Sequence, residues 1–241
     1  MNNYLGPGHV KKYTVPAAGV IGGNGYLIGA LFLVATSTVA YASGATFEGK
    51  SEGEFTLPKT ISEGDLPEGK PVFWDVANAK VTVDPSLGVP IGTLSAAALT
   101  AATTCSVYLN GHSLAGRQLT MRKRLTIAQV NAGATLVPAM PGVKLRMVDA
   151  SAIAVGGAVG AVTTVDILAT QAASSVKLVA FAQASMTQNT QLRSGASGAA
   201  ILAGGVSYAQ NDVSTAITIG KTGSDITTAT HVDVLLTYSL E

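Results

Sequence analysis

Residues 47–57, Phe-Glu-Gly-Lys-Ser-Glu-Gly-Glu-Phe-Thr-Leu, carry the clearest structural signal in the chain. A charged side chain stands at every second position from Glu48 to Glu54, and apolar or small residues lie between them. Because successive side chains of a β-strand point to opposite faces, this period of two predicts a half-exposed strand with one charged face. The stretch therefore favours an antiparallel β-fold for the chain around it.

Strand-like runs recur on both sides of this stretch, divided by clusters of Gly, Asn, Asp and Ser. Before it, the uncharged residues 26–42, which begin with the strand-like run Tyr26–Ala35, predict two buried strands with a turn. An Ala-rich piece before Thr104 leaves room for one short helix. We find no capped helix of ordinary length and no internal repeat, so the spacing predicts an all-β protein with two small antiparallel β-sandwich or barrel domains. The other candidate strands are Val39–Tyr41, Val72–Asp75, Lys80–Asp84, Ile91–Ala98, Thr104–Asn110, Leu125–Val130, Lys144–Val155, Val162–Leu168, Ser175–Phe181, Ala199–Leu202, Ala216–Ile219 and Val232–Tyr238.

Composition and charge indicate an assembly made of two domains. Of the 241 residues, 47% are apolar and only 12% are charged, against about a quarter in ordinary globular proteins. We infer that much of the surface is hidden against neighbours. The net charge of +1 provides no field that would attract nucleic acid or an anionic membrane. Residues 1–111 hold six lysines and eight acids, whereas 112–241 hold nine bases and six acids, which predicts a domain boundary near Gly111.

The N-terminal segment, residues 1–20, predicts an extended arm. It contains a Gly-Pro-Gly and a later proline before any sustained periodicity, which disfavours a helix. We expect the arm to bind neighbouring subunits and to be removable without unfolding either domain. The uncharged residues 26–42 that follow are too short and too polar for a membrane span, although an export signal is the alternative interpretation.

The residue types that usually provide catalysis, metal binding or cofactor binding form no recognisable motif in this sequence. The single cysteine, Cys105, lies in an alternating apolar run, where a small buried side chain is expected. The three histidines lie in separate contexts, and the Gly-rich residues 22–25 lack the Lys-Ser/Thr of a phosphate loop. The acids Glu48, Glu52, Glu54, Glu63, Asp65 and Glu68 are interpreted as solvated rather than as a hydrolase pair or calcium site. We therefore expect no enzyme activity, no metal and no cofactor.

Residues 1–111 contain an ordered set of short motifs. They are Asn3-Tyr4, Gly6-Pro-Gly8, Tyr13-Thr14, Pro16 to Val20, Gly29, Leu57-Pro58-Lys59, Val72 to Asp75, Ile91-Gly92 and Val107 to Asn110. This set resembles a small phage capsid cement family that was long classed as a domain of unknown function. The resemblance implies a compact β domain on the outer capsid surface that binds the major capsid protein where capsomers meet, commonly as an oligomer. No catalytic residues accompany it.

The second half resembles uncharacterised domains of phage virion proteins, through Ile127 to Asn131, Leu136 to Gly142, Val148-Asp149 and Thr230 to Val234. We interpret residues 112–241 as a protruding or intersubunit β domain. A basic patch at its start, Arg117 with Arg122, Lys123 and Arg124, is expected to pair with an acidic neighbour. It lacks the interleaved aromatic residues of a platform for single-stranded nucleic acid.

The leading hypothesis is a structural virion protein that bridges major capsid protein subunits on the outer surface of heads assembled in the host cytoplasm. We expect a homo-oligomer, with a trimer preferred and a dimer possible, and no nucleic-acid or membrane partner. The alternative is a receptor- or glycan-binding virion module on the head or tail, with recognition in the second domain. The candidate capsid contacts are Tyr4, Pro7, His9, Lys11, Lys12, Tyr13, Pro16, Pro58, Lys59 and Trp74.

Overall fold

The computed structural model describes residues 10–16, 19–85, 87–111, 117–140, 142–201 and 206–241. Nearly all of its regular structure is β, arranged in antiparallel sheets, which confirms the predicted fold class. Within the described ranges no sheet closes into a barrel, so the sandwich alternative holds. The chain divides into two compact units, Met1–Leu114 and Ala115–Glu241, which we call unit 1 and unit 2.

Unit 1 contains two sheets and a short two-stranded ribbon. The first sheet has the order β1-β6-β4-β3, the second has the order β7-β11-β10-β8-β9, and the ribbon is β2-β5. The strands are β1 Val10–Thr14, β2 Val20–Ile21, β3 Gly25–Ile28, β4 Leu31–Ala35, β5 Ala40–Tyr41, β6 Thr46–Lys50, β7 Glu52–Pro58, β8 Pro71–Asp75, β9 Lys80–Thr82, β10 Gly88–Leu94 and β11 Thr104–Asn110.

The charged alternating stretch joins the two sheets of unit 1. It forms β6 and β7 rather than one continuous strand, with Ser51 between them. Gly53, which pairs with Leu109 inside β7, has a φ of +112°, a conformation that residues with a side chain rarely adopt. The predicted alternation is otherwise correct, since Phe47 and Gly49 are buried while Glu48 and Lys50 are exposed.

Aromatic packing holds unit 1 together at two places. The rings of Phe32 and Trp74 lie 5.0 Å apart. Gly25 leaves room for this pair, because a Cβ there would stand 2.5 Å from the Cζ of Phe32. A second, smaller core surrounds Phe47, whose ring is contacted by Tyr13, Tyr26 and Tyr41 at centroid distances of 5.9, 6.3 and 6.4 Å.

Two local predictions in unit 1 are wrong. Residues 10–14 of the predicted arm form β1, an edge strand paired with β6, because Tyr13 packs on Phe47 and anchors the strand. Val15 and Val20 are buried in the same small core, so residues 1–20 are not removable as a free arm. The Ala-rich piece before Thr104 is a series of bends and turns, tied by the Leu66–Ala98 bridge, and not a helix.

Unit 2 contains a four-stranded sheet with the order β12-β20-β14-β17 and a five-stranded sheet with the order β13-β19-β15-β16-β18. Both sheets bury apolar side chains on one face, as the layers of a β-sandwich do. Its elements are β12 Gln118–Thr126, α1 Ile127–Asn131, β13 Thr135–Val137, β14 Leu145–Val155, β15 Val162–Gln171, β16 Ser174–Ala182, β17 Gln191–Arg193, β18 Ala199–Ile201, β19 Ile217–Gly223 and β20 His231–Leu240, with 3₁₀ turns at Gln183–Ser185 and Val206–Tyr208.

The predicted strand Leu125–Val130 is wrong in its second half, where the structure has α1. Thr126 caps this helix, since its side chain accepts a hydrogen bond from the backbone N–H of Gln129 while the Gln129 side chain accepts one from the backbone N–H of Thr126. The Thr-x-x-Gln spacing is a capping box, a sequence signal that the strand prediction overlooked. Three residues of the basic patch, Arg122, Lys123 and Arg124, lie on β12 itself.

Candidate functional site

The N-terminal strand presents basic side chains at the edge of the first sheet. Lys11 and Lys12 on β1 are exposed. Tyr13 is half-buried against Phe47, and this burial raises its pKa, while Pro16 is also half-buried. Lys11 and Lys12 therefore remain available to a partner, whereas Tyr13 serves mainly to fix the strand. The candidate contacts Tyr4, Pro7 and His9 lie outside the described residues.

Two large apolar residues at the ribbon β2-β5 are exposed, Ile21 on β2 and Val39 directly before β5. Ile21 is 60% exposed and Val39 is 55% exposed, and a hydrogen bond from the Gly22 N–H to the Val39 carbonyl ties their segments together. The Ile21 N–H also donates to the Tyr26 hydroxyl at 2.7 Å, which links the ribbon to the core around Phe47. We call Ile21 and Val39 the ribbon patch.

A second exposed apolar pair, Ile61 and Leu99, lies on two loops of unit 1 and is called the loop patch. Ile61 is 55% exposed and Leu99 is 70% exposed. Asp65 holds the loops together, since one of its carboxylate oxygens accepts hydrogen bonds from the Thr100 N–H at 2.8 Å and the Thr100 hydroxyl at 2.9 Å. These bonds lower the pKa of Asp65. Neither patch is among the contacts predicted from the sequence, although each contains an isolated large apolar residue in a turn-rich, polar segment.

Two predicted contact residues lie in the interior and cannot touch a capsid in this conformation. Lys59 is 1% exposed, and its Nζ donates to the Thr60 carbonyl at 2.8 Å. Its backbone forms a β-bridge with Val81, and its N–H donates a hydrogen bond to the Thr103 carbonyl. Trp74 is buried against Phe32. The Leu-Pro-Lys and Trp-Asp motifs therefore stabilise the domain, and of their contact candidates only Pro58, which is half-buried, reaches the surface.

The Trp-Asp motif also shapes a turn. Asp75 is buried, and one of its carboxylate oxygens accepts hydrogen bonds from the N–H groups of Ala77 and Asn78 at 3.0 and 3.1 Å. The other oxygen accepts from the Asn78 side-chain amide at 2.7 Å. An aspartate that binds the backbone just ahead of it stabilises a turn, here the one between β8 and β9.

The other acids that could suggest catalysis or metal binding also hold loops in place. Glu63 accepts hydrogen bonds from the Thr82 hydroxyl and from the Val83 N–H, and Glu54 accepts one from the Ser95 hydroxyl at 2.6 Å. Across the described part of the chain, no three His, Cys, Asp or Glu side chains come together where they could hold a metal ion. Cys105 is buried as predicted, and desolvation raises its pKa to about 11.

The basic patch of unit 2 is divided between the two faces of β12. Arg124 forms a two-pronged ion pair with Asp233 on β20, with Nε to Oδ1 at 2.7 Å and Nη2 to Oδ2 at 2.8 Å. Arg122 lies on the same face, 3.6 Å from that carboxylate. Lys123 points to the other face and donates to the Thr135 carbonyl at 2.9 Å. The acidic partner of Arg124 is thus in the same chain, and Arg117 is exposed beside the strand.

Asp233, the acid that pairs with Arg122 and Arg124, is not among the site residues predicted from the sequence. Its side chain is 9% exposed, and the hydrogen bonds from Arg124 lower its pKa and keep it ionised. An aspartate between two valines, Val232-Asp-Val234, in a strand that otherwise reads as apolar is the signal that could have marked it. A buried acid in such a position requires a cationic partner from a neighbouring strand.

Comparison with known proteins finds a family match within unit 1. Residues 5–109 match the model of a family described as Phage cement protein. No curated protein and no solved structure matches the chain at a significant level. None of the helices in the described ranges is long and apolar enough to cross a membrane. Unit 1 therefore matches the phage cement protein family over nearly its whole length, and this match supports a structural, capsid-associated role for the protein.

Proposed function

We propose that the protein binds the outer surface of the assembled capsid through unit 1 and stabilises it by bridging major capsid protein subunits. The observation that carries this proposal is the distribution of exposed apolar side chains. Among the described residues, ten large hydrophobic side chains are exposed, and seven of them lie in unit 1. Unit 1 is also the part that matches the cement family.

The ribbon patch and the loop patch provide the apolar part of the proposed contact. Burying one large apolar side chain completely contributes about 1.5–3 kcal/mol, so four half-exposed side chains could together contribute several kcal/mol to binding. Lys11 and Lys12 on β1 add positive charge at the sheet edge. Such charges increase the rate and specificity of association more than its affinity.

Binding of this kind stabilises a shell by mass action. A protein that binds the assembled capsid but not its dissociated subunits raises the free energy needed to open the shell. An oligomer would raise it further, because several linked contacts must break at once. A trimer at local threefold axes remains our preferred assembly, and the family's structural character supports a non-enzymatic role.

The test is a binding assay with expanded heads that lack the protein. We expect the double variant Ile61→Asp with Leu99→Asp to lose most of its binding, because two charges would be desolvated in the contact. The matched control is Val213→Asp, which places the same charge at an exposed apolar position of unit 2. Equal binding by the loop-patch variant and the wild type would refute the proposed contact.

The N-terminal residues can be tested separately by deleting residues 1–9. This truncation keeps β1, Val15 and Val20, so the small core around Phe47 stays intact. It removes the candidate contacts Tyr4, Pro7 and His9. We expect weaker capsid binding with unchanged thermal unfolding; unchanged binding would exclude these three residues from the contact.

A further inference from the structure

The outer face of the four-stranded sheet in unit 2 forms a trough. Its flanking strands carry long side chains, with Arg122 on β12 and Gln191 on β17, while its central strands carry the short Asp233 and Ser151. This difference in length leaves an open cavity of about 260 Å³ over the central strands. The cavity is lined by Arg122, Ser151, Ile153, Gln191, Asp233, Val234 and Leu235.

Two of the polar groups in the trough are fixed before any ligand arrives. Asp233 is held by both prongs of Arg124, which satisfies one lone pair on each of its oxygens and leaves further acceptor capacity. Gln191 donates from its side-chain amide to the Ser151 hydroxyl at 3.0 Å. Because these side chains are already ordered, a ligand that binds them loses little additional conformational entropy.

The charged groups of the trough already pair with one another, since Arg122 and Arg124 both lie against Asp233, and this disfavours ionic ligands. An anion would approach the ionised carboxylate of Asp233, and a cation would approach the guanidinium groups of Arg122 and Arg124. A neutral ligand with several hydroxyl groups meets neither penalty, because each hydroxyl can donate to Asp233 and accept from Arg122 or Gln191. The partly exposed side chains of Ile153 and Leu235 provide an apolar surface for the C–H groups of such a ligand.

From this arrangement we propose that the trough is a binding site for a neutral saccharide, in the size range of one sugar ring. Its volume lies just below the range of about 300–1,000 Å³ that is usual for drug-sized ligands. None of the residues lining the cavity is aromatic, so the intrinsic affinity is weak. The site is built entirely from unit 2 and does not depend on the proposed capsid contact.

The proposal is tested by titrating the full-length ¹⁵N-labelled protein with the methyl glycosides of glucose, galactose, mannose and N-acetylglucosamine. Sodium acetate and methylammonium chloride serve as anionic and cationic probes. We expect at least one glycoside to shift the amide signals of the trough residues. Arg122→Ala and Gln191→Ala should each weaken that binding about fivefold or more, as the loss of one ligand hydrogen bond does. Both side chains are exposed, so neither change threatens the fold.

The matched control is Arg117→Ala, which removes an exposed arginine next to the same strand but outside the trough. It should leave glycoside binding unchanged. The proposal is overturned if no glycoside shifts these signals, if acetate or methylammonium shifts them more strongly, or if both trough variants bind as the wild type does. If the amide signals shift with protein concentration and not with glycoside concentration, a second copy of the chain covers this face, and the saccharide proposal is also overturned. None of these results bears on capsid binding by unit 1.

Discussion

The two units use their charged and apolar side chains differently. In unit 2, acids on the sheets form ion pairs with bases of the same unit, as in Arg124–Asp233, Lys177–Asp166 and Arg146–Glu241. In unit 1, acids such as Asp65 and Asp75 instead accept hydrogen bonds from loop N–H groups. Of the ten large hydrophobic side chains that are exposed among the described residues, seven lie in unit 1.

This contrast indicates that the two units have different roles. Unit 2 pairs several of its charged side chains with one another and buries an apolar core. Unit 1 leaves apolar patches and two adjacent lysines at its surface, which are features of a protein that meets a partner. If the two units act separately, a substitution in one unit should leave the stability and binding of the other unchanged.

The largest effect is expected from the core residue Phe47. Its ring anchors Tyr13, Tyr26 and Tyr41, and therefore β1 and the ribbon. We expect Phe47→Ala to lower the free energy of unfolding of unit 1 by about 3–5 kcal/mol, the usual cost of truncating a buried phenylalanine. Differential scanning calorimetry and capsid binding would measure the consequence, and we expect both to be impaired.

Phe181→Ala is the matched change in unit 2, since this ring is completely buried in β16. It should destabilise unit 2 by a similar amount while capsid binding persists at temperatures where unit 1 is folded. Loss of capsid binding at those temperatures would show that the two units do not act separately.

An intermediate effect is expected from the ion pair of unit 2. Arg124→Ala leaves the mostly buried carboxylate of Asp233 without its two-pronged partner, so unit 2 should become less stable at neutral pH, though by less than with Phe181→Ala. The pKa of Asp233 is lowered in the folded state, chiefly by the hydrogen bonds from Arg124. Its contribution is therefore complete above the unfolded pKa of about 4 and is lost as the pH falls through the lower folded value.

Urea unfolding of wild type and Arg124→Ala at neutral and strongly acidic pH measures this dependence. The difference in unfolding free energy between the two proteins should shrink at acidic pH, where the carboxylate is protonated in both. A difference that stays constant over this range would mean that Arg124 stabilises the sheet by packing and not through Asp233.

The smallest effect is expected from Lys59→Met, which tests the reassignment of this residue to the interior. A methionine fills a similar volume and needs no hydrogen bond, so the free energy of unfolding should change by no more than about 1 kcal/mol. Capsid binding should be unaffected. By contrast, Lys11→Ala with Lys12→Ala should weaken capsid binding without changing stability, and the opposite ranking would restore Lys59 as a contact.

The sequence predicts the strands well where the alternation of side chains is regular. The strand-like run Tyr26–Ala35 and the charged face of residues 47–57 follow from local side-chain patterns alone, and the structure has strands in both, although the first run divides into β3 and β4. The break at Ser51 could not be predicted in this way, because it depends on the second sheet that β7 joins. The helix after β12 was predictable in principle from Thr126 and Gln129.

The candidate contacts were harder to predict, because a motif does not reveal whether it serves the surface or the core. Lys59 and Trp74 belong to the family-like motifs, yet both are buried, and their burial depends on distant strands. Ile61 and Leu99 come from separate loops, which are held together by hydrogen bonds such as those from Thr100 to Asp65. The trough of unit 2 likewise combines side chains from β12, β14, β17 and β20, whose order in the sheet differs from their order in the chain.

The central claim is that unit 1 carries the capsid contact, and a cryo-EM map of heads decorated with the full-length protein tests it most directly. We predict that unit 1 lies against the major capsid protein, with the ribbon patch and the loop patch covered and the trough of unit 2 open. A map in which unit 2 contacts the capsid, while Ile21, Val39, Ile61 and Leu99 face solvent, would contradict this account.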